Sequence, residues 1–124
     1  MVELIGPIYM RGKGRDLVLG LRAGEKHCNM RGTVHGGILA TLADITIGYS
    51  LAFSTEPPTA AVTTNLTLDF LSSAQKGDWL EAAVEFHQLG KRAAFGNCYI
   101  RRGEERIVRA SAVFLVTGAL PREA

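Results

Sequence analysis

The sequence predicts an α+β fold in which one long central helix is wrapped by a five- or six-stranded antiparallel sheet. Three observations carry that prediction. Residues 38–53 form a single apolar run that stops before Pro57 and Pro58, and Leu17, Leu19 and Leu21 alternate ahead of it. Beyond the prolines, every stretch between turn residues has strand length and strand patterning.

Taken in order, residues 15–23 (RDLVLGLRA) suit a half-buried strand, and residues 7–11 can pair with it across the Gly12-Lys13-Gly14 turn. The residues before them read as lacking regular structure. A polar loop over residues 24–33 leads into the helix. Gly36 and Gly37 are poor helix formers and belong in its first turn, where glycine tolerates close approach of another group. Pro57 biases Glu56 away from helical geometry and closes the element. Val62, Thr64, Leu66, Leu68 and Phe70 then alternate with Thr63, Asn65, Thr67 and Asp69. A second alternation runs through Leu80, Ala82, Val84 and Phe86, followed by a hairpin turn at residues 89–92 (LGKR) and a strand over 93–101. Residues 107–116 are apolar on both faces, which suits a central strand.

Composition narrows the function. At 124 residues with 47% hydrophobic and 21% charged, the chain is expected to fold as one domain over residues 1–124. Net charge is +2 with the basic residues scattered, so nucleic acid is not expected as a partner. The apolar run is shorter than the ~20 residues that cross a bilayer, so no membrane association is expected either. Cys28 and Cys98 have neither metal nor redox spacing, and the first residues carry an acid and no signal-length apolar core. Cytoplasmic localisation with free thiols is the expectation.

One residue breaks the pattern. Asp44 is the only formally charged side chain between Arg31 and Glu56, and it stands among Leu39, Leu42, Ile45 and Ile47. A buried, unpaired carboxylate costs several kcal/mol or shifts its pKa, so it needs an offsetting role. Upstream lie Asn29, Gly32, His35, Gly36 and Gly37. Together they read N-x-x-G-x-x-H-G-G-x(6)-D, which resembles the signature of hot-dog-fold acyl-CoA thioesterases, PaaI-like branch, with their animal relatives of the thioesterase superfamily member 2 type. The similarity extends from about Leu17 to Val116.

That resemblance implies an acyl-CoA thioesterase acting on an aryl- or medium-chain acyl-CoA, without metal or redox cofactor, coenzyme A being part of the substrate. It implies a homodimer that assembles into a homotetramer, with the active site between subunits. The Gly36 N–H would hold the thioester oxygen, with Gly37 beside the substrate, and Asp44 would reach across as nucleophile or general base. Asn29 would orient the attacking water or the carboxylate. His35 would hydrogen-bond across the site or cap the helix. Thr63 stands where relatives carry a water-positioning serine, with Thr64 as the fallback. Gly90, Lys91 and Arg92 match, by position, the turn that grips the CoA phosphates.

Physical chemistry agrees with these roles. Thioester hydrolysis builds negative charge on the carbonyl oxygen, and first-turn N–H groups are aimed donors reinforced by the helix dipole. Asp44 lies eight residues beyond Gly36, about 12 Å along one helix axis, too far for one chain to bring both to one carbonyl. Two chains remove that obstacle.

Blander readings stand beside each residue. Asp44 can be a structural carboxylate, His35 a plain cap, Trp79 packing and Cys98 a small core residue. His27, Cys28 and His35 lack a fourth metal ligand at usual spacing, and nothing orients Cys28 as a nucleophile. A non-catalytic acyl-CoA-binding regulator is the alternative function, although such proteins usually carry a DNA-binding domain. A hydratase is a third, without its motifs here.

Overall fold

The structure is a computed structural model that describes residues 2–119, apart from the side chains of Val2, Glu3 and Phe86. Six antiparallel strands form one sheet: β1 (Tyr9–Arg11), β2 (Val18–Arg22), β3 (Thr59–Phe70), β4 (Trp79–Leu89), β5 (Ala93–Arg102) and β6 (Glu105–Ala119). Their spatial order is β1-β2-β4-β5-β6-β3. A short helix, α1 (Val2–Ile5), precedes the sheet, and the long helix α2 (Gly36–Ala52) packs against the sheet. The α+β prediction and the upper strand number therefore hold.

Helix α2 buries Leu39, Leu42, Ala43, Thr46, Ile47, Ser50 and Leu51, a stripe at helical spacing. Facing it are Leu19, Leu21, Leu80, Ala82, Ala94, Cys98, Ile100, Val108, Ala110 and Phe114 from β2, β4, β5 and β6. Polar helix residues are satisfied locally: Thr46 Oγ1 donates to the Leu42 carbonyl at 2.7 Å and Thr41 Oγ1 to Gly37 at 2.8 Å. The opposite side of α2, through Ile38, Thr41, Asp44, Ile45 and Gly48, is only half-covered. Asp44 is thus not enclosed within a single chain, which corrects the premise of a fully buried acid.

Three local expectations are corrected. Residues 2–5 do form a helical turn, because His27, far away in sequence, holds it: Nε2 meets the Ile5 carbonyl at 2.5 Å while Nδ1 accepts from the Gly24 amide at 2.8 Å. The second strand starts at Val18, after a 3-10 turn over Gly14–Asp16. Strand β3 does not alternate regularly. Thr63 pairs with Phe114 and Asn65 with Val113, leaving Thr64 as an extra residue whose hydroxyl bonds the Val113 carbonyl at 3.2 Å. This bulge reverses which residues face the helix. Val62 therefore faces outward and is half exposed, while Leu66 and Leu68 pack on the core.

Trp79 is packing, as its position suggested. Its ring stacks at a tilt on Tyr9, 5.6 Å between centroids, lies 5.2 Å from the Arg22 guanidinium, and donates Nε1 to Glu81. A Cβ on Gly20 would fall 2.3 Å from that ring, so only glycine lets β2 accept the indole.

His87 is buried on β4, with Nδ1 3.3 Å from Ser50 Oγ, which itself donates to the Gly14 carbonyl at 2.7 Å. Burial, helped by the charge of Arg15, holds its pKa below the ordinary 6.5. A depressed histidine pKa means the unfolded chain binds more protons than the folded one below that value. Stability from the neutral ring is therefore present above about pH 6.5 and lost as pH falls towards the folded pKa. Melting temperature followed from pH 8 to pH 5 should drop below about pH 6.5, and His87→Gln should flatten that dependence.

Candidate active site

The residues ahead of α2 are sewn to the β3–β4 connection. The Val34 amide donates to Ala74 at 2.8 Å, Lys76 donates to Gly32 at 2.8 Å, and Thr33 bridges Gln75. Asp78 anchors that connection by accepting from the Gln75 amide and from Arg102; these bonds hold its carboxyl below the usual carboxylate range. The helix start is consequently fixed by backbone on both sides.

Asn29 shapes the same loop. Its Oδ1 accepts from the Arg31 amide at 2.9 Å and the Thr33 amide at 3.1 Å. That oxygen is committed to the turn, so within one chain it is not the group that orients a water. His35 occupies the N-cap by backbone alone: its carbonyl accepts from Ile38 and Leu39, and its exposed side chain makes no capping bond. His35 is thus a plain helix cap, through its backbone and not its side chain.

Gly36 and Gly37 form the first turn, exposed, with amides that helix geometry leaves without intrahelical partners. The Phe70 ring at the end of β3 lies over Gly36, and a Cβ there would sit 3.2 Å from its Cζ. Nothing in the sequence pattern singled out Phe70. It is 56% exposed, an aromatic ring at an open helix N-terminus.

Two turns further along, Asp44 Oδ1 accepts from Thr63 Oγ1 at 2.8 Å. The bulge at Thr64 turns Thr63 towards α2, so Thr63 and not Thr64 stands beside the carboxylate. From this pair an apolar cleft of about 290 Å³ runs towards the helix C-terminus, past Gly48, Tyr49, Ala61 and Phe114. Gly36 does not line that cleft. One chain does not bring together the open amides and the acid.

Gly90, Lys91 and Arg92 form the exposed β4–β5 turn, closed by the Gly90 amide on Ala93 at 2.9 Å and by the Val116 amide on Arg92 at 2.8 Å. Leu89, just before it, lines the far end of the cleft. Among the other basic residues, Arg102 pairs with Asp78 and Glu105, Arg106 with Glu85 and Arg109 with Asp69, as solvated strand residues do. Cys98 is buried, and burial pushes its thiol up to about 12, which removes it as a nucleophile. Among the described residues no three His, Cys, Asp or Glu side chains converge. None of their helices is long and apolar enough to cross a membrane.

Comparison with known proteins accords with this arrangement. The sequence profile of the thioesterase superfamily matches residues 31–109, from the loop before α2 into β6. A Pseudomonas aeruginosa protein provisionally named an esterase is 48% identical over 115 residues, 92% of this chain and 86% of that one. Mouse acyl-coenzyme A thioesterase 13 is 30% identical over 81 residues, 65% of this chain and 57% of that protein. A hypothetical thioesterase of Streptococcus pneumoniae, solved with coenzyme A, superposes with a TM-score of 0.85 at 18% identity, over 98% of this chain and 94% of that one. With this profile and these relatives, the chain is an enzyme of the thioesterase superfamily, built on the hot-dog fold.

Proposed function

We propose that the protein hydrolyses the thioester of an aryl- or medium-chain acyl-CoA to the free acid and CoA, at sites shared between two subunits. The Gly36 amide of one chain holds the carbonyl oxygen. Asp44 of the other, steadied by Thr63, attacks the carbonyl carbon or activates the water that does. Gly37 leaves room beside the carbonyl, and Lys91 and Arg92 supply charge for the CoA phosphates. No metal or redox group takes part in any step.

One observation carries the two-subunit site. Strand β3 is a free edge of twelve residues, and it touches both halves of the chemistry: Thr63 holds Asp44, and Phe70 covers Gly36. An exposed edge of that length invites a second strand. In a two-fold antiparallel pair, opposing residues must share a face. With Thr64 set aside as the bulge, Thr63 and Phe70 are each three ladder steps from Thr67. Pairing β3 with its copy about Thr67 sets Leu66 against the partner's Leu68 and Thr63 against the partner's Phe70. Asp44 then meets the partner's Gly36. The same bulge that aims Thr63 at the acid makes that match possible, because without it residues seven apart would face opposite sides.

The tetramer requires a further surface. Val62 and Leu115, paired across β3 and β6, lie with Phe95 on the outer sheet face, each about half exposed.

Thiol release from a panel of acyl-CoAs, with the oligomer mass measured in parallel, tests the proposal. Turnover of at least one aryl- or medium-chain acyl-CoA by a dimer or tetramer is the expected result. Binding across the panel without turnover would mark an acyl-CoA-binding regulator instead, and an active monomer would refute the shared site.

A further inference from the structure

We infer that Tyr49 is the end wall of the acyl pocket and restricts the enzyme to compact, uncharged acyl groups; this rests on the thioesterase activity proposed above. The cleft that starts at Asp44 and Thr63 holds about 290 Å³, just under the ~300–1,000 Å³ usual for small-molecule sites. Its lining beyond the Asp44–Thr63 pair is almost wholly apolar, so nothing there would satisfy a charged acyl tail. Tyr49 lies five residues past Asp44, about 7.5 Å along the helix, which leaves space for a ring or a short chain and little more.

Beyond Tyr49 a second apolar recess of about 460 Å³ opens between Met10, Gly12, Leu17 and Phe53. Tyr49 and Ala52 are common to the linings of both spaces. Ala52 contributes one methyl group, so the tyrosine ring supplies most of the partition. The ring stands edge-on to Phe53, 5.9 Å between centroids, and is 37% exposed, so no hydrogen-bond network of the core depends on it. Removing the ring joins the two spaces into one channel long enough for an extended acyl chain.

Chain-length preference follows. The wild-type enzyme should hydrolyse hexanoyl- or phenylacetyl-CoA with a higher kcat/KM than dodecanoyl-CoA. Tyr49→Ala should raise the dodecanoyl-to-hexanoyl ratio at least about tenfold, the scale at which a few methylenes discriminate in an apolar pocket. Tyr49→Phe should keep the wild-type ratio, since the ring and not the hydroxyl forms the wall. Gly48→Val adds bulk to the cleft from the residue before Tyr49, where a Cβ meets only Phe114 at 3.8 Å, and should weaken phenylacetyl-CoA about tenfold. It also serves if the alanine variant does not fold. The same series is read as dissociation constants of hexanoyl- and dodecanoyl-CoA on an Asp44→Asn background, where turnover does not intervene. A folded Tyr49→Ala protein whose ratios stay within twofold of wild type in both readouts overturns the inference, as does a wild type that already prefers dodecanoyl-CoA. Binding ratios that shift while no acyl-CoA is ever hydrolysed would uphold the pocket wall and sink the thioesterase activity.

Discussion

Asp44→Asn should abolish most acyl-CoA hydrolysis while leaving the fold intact. The amide has the shape of the acid, keeps an oxygen for the Thr63 hydroxyl, and has similar helix propensity, so melting temperature should not fall appreciably. What it loses is the negative charge that attacks or takes a proton. A positioned acid or base contributes about 100- to 10,000-fold, so kcat should drop by that factor, with KM for acyl-CoA little changed. Thr63→Ala removes only the hydroxyl that steadies the carboxylate, and its loss should be smaller. Steady-state thiol release checks both. A fully active Asp44→Asn enzyme would exclude the carboxylate from the chemistry and return it to a structural role.

Gly36→Pro should cost hydrolysis about 100- to 1,000-fold, the usual effect of deleting one oxyanion donor. Proline is chosen because it deletes the amide hydrogen and little else at this position. Gly36 is the first helical residue, where proline is well accepted, and His35 before it already has the extended φ −61°, ψ 136° that a following proline demands. The added ring meets Phe70 at its flexible tip, so modest movement there accommodates it. Gly36→Ala is the control. It retains the N–H and introduces the same first contact with Phe70, so a much smaller effect than proline isolates the donor from crowding.

Much of this architecture was legible in the sequence because it follows from periodicity and from glycine and proline. The apolar run ending before Pro57 marks the helix, and the turn at residues 89–92 separates strands whose patterning is visible. The N-x-x-G-x-x-H-G-G-x(6)-D spacing points to Asp44 and Gly36, and the resemblance it carries adds Thr63 by position. What escaped has physical reasons. A bulge at Thr64 leaves no mark in composition, since Thr63, Thr64 and Asn65 all fit either face of a strand. The contact of Phe70 with Gly36 and the bond from His27 to Ile5 join residues remote in sequence, and neither residue type forecasts its partner. For Asn29 the resemblance implies a part in orienting the attacking water or the carboxylate; that its oxygen closes the loop leading into α2 is visible only in the structure.

Mixing the two inactive variants tests most directly whether two chains build each site. Asp44→Asn and Gly36→Pro proteins are unfolded together, refolded at equal concentration, and assayed for thiol release. Random pairing gives half heterodimers, each with one site doubly impaired and one site composed of an intact acid from one chain and an intact amide from the other, so activity should return to about a quarter of wild type. Activity that stays at the level of the separate variants would contradict the shared site, because it would place Asp44 and Gly36 in the same chain's chemistry.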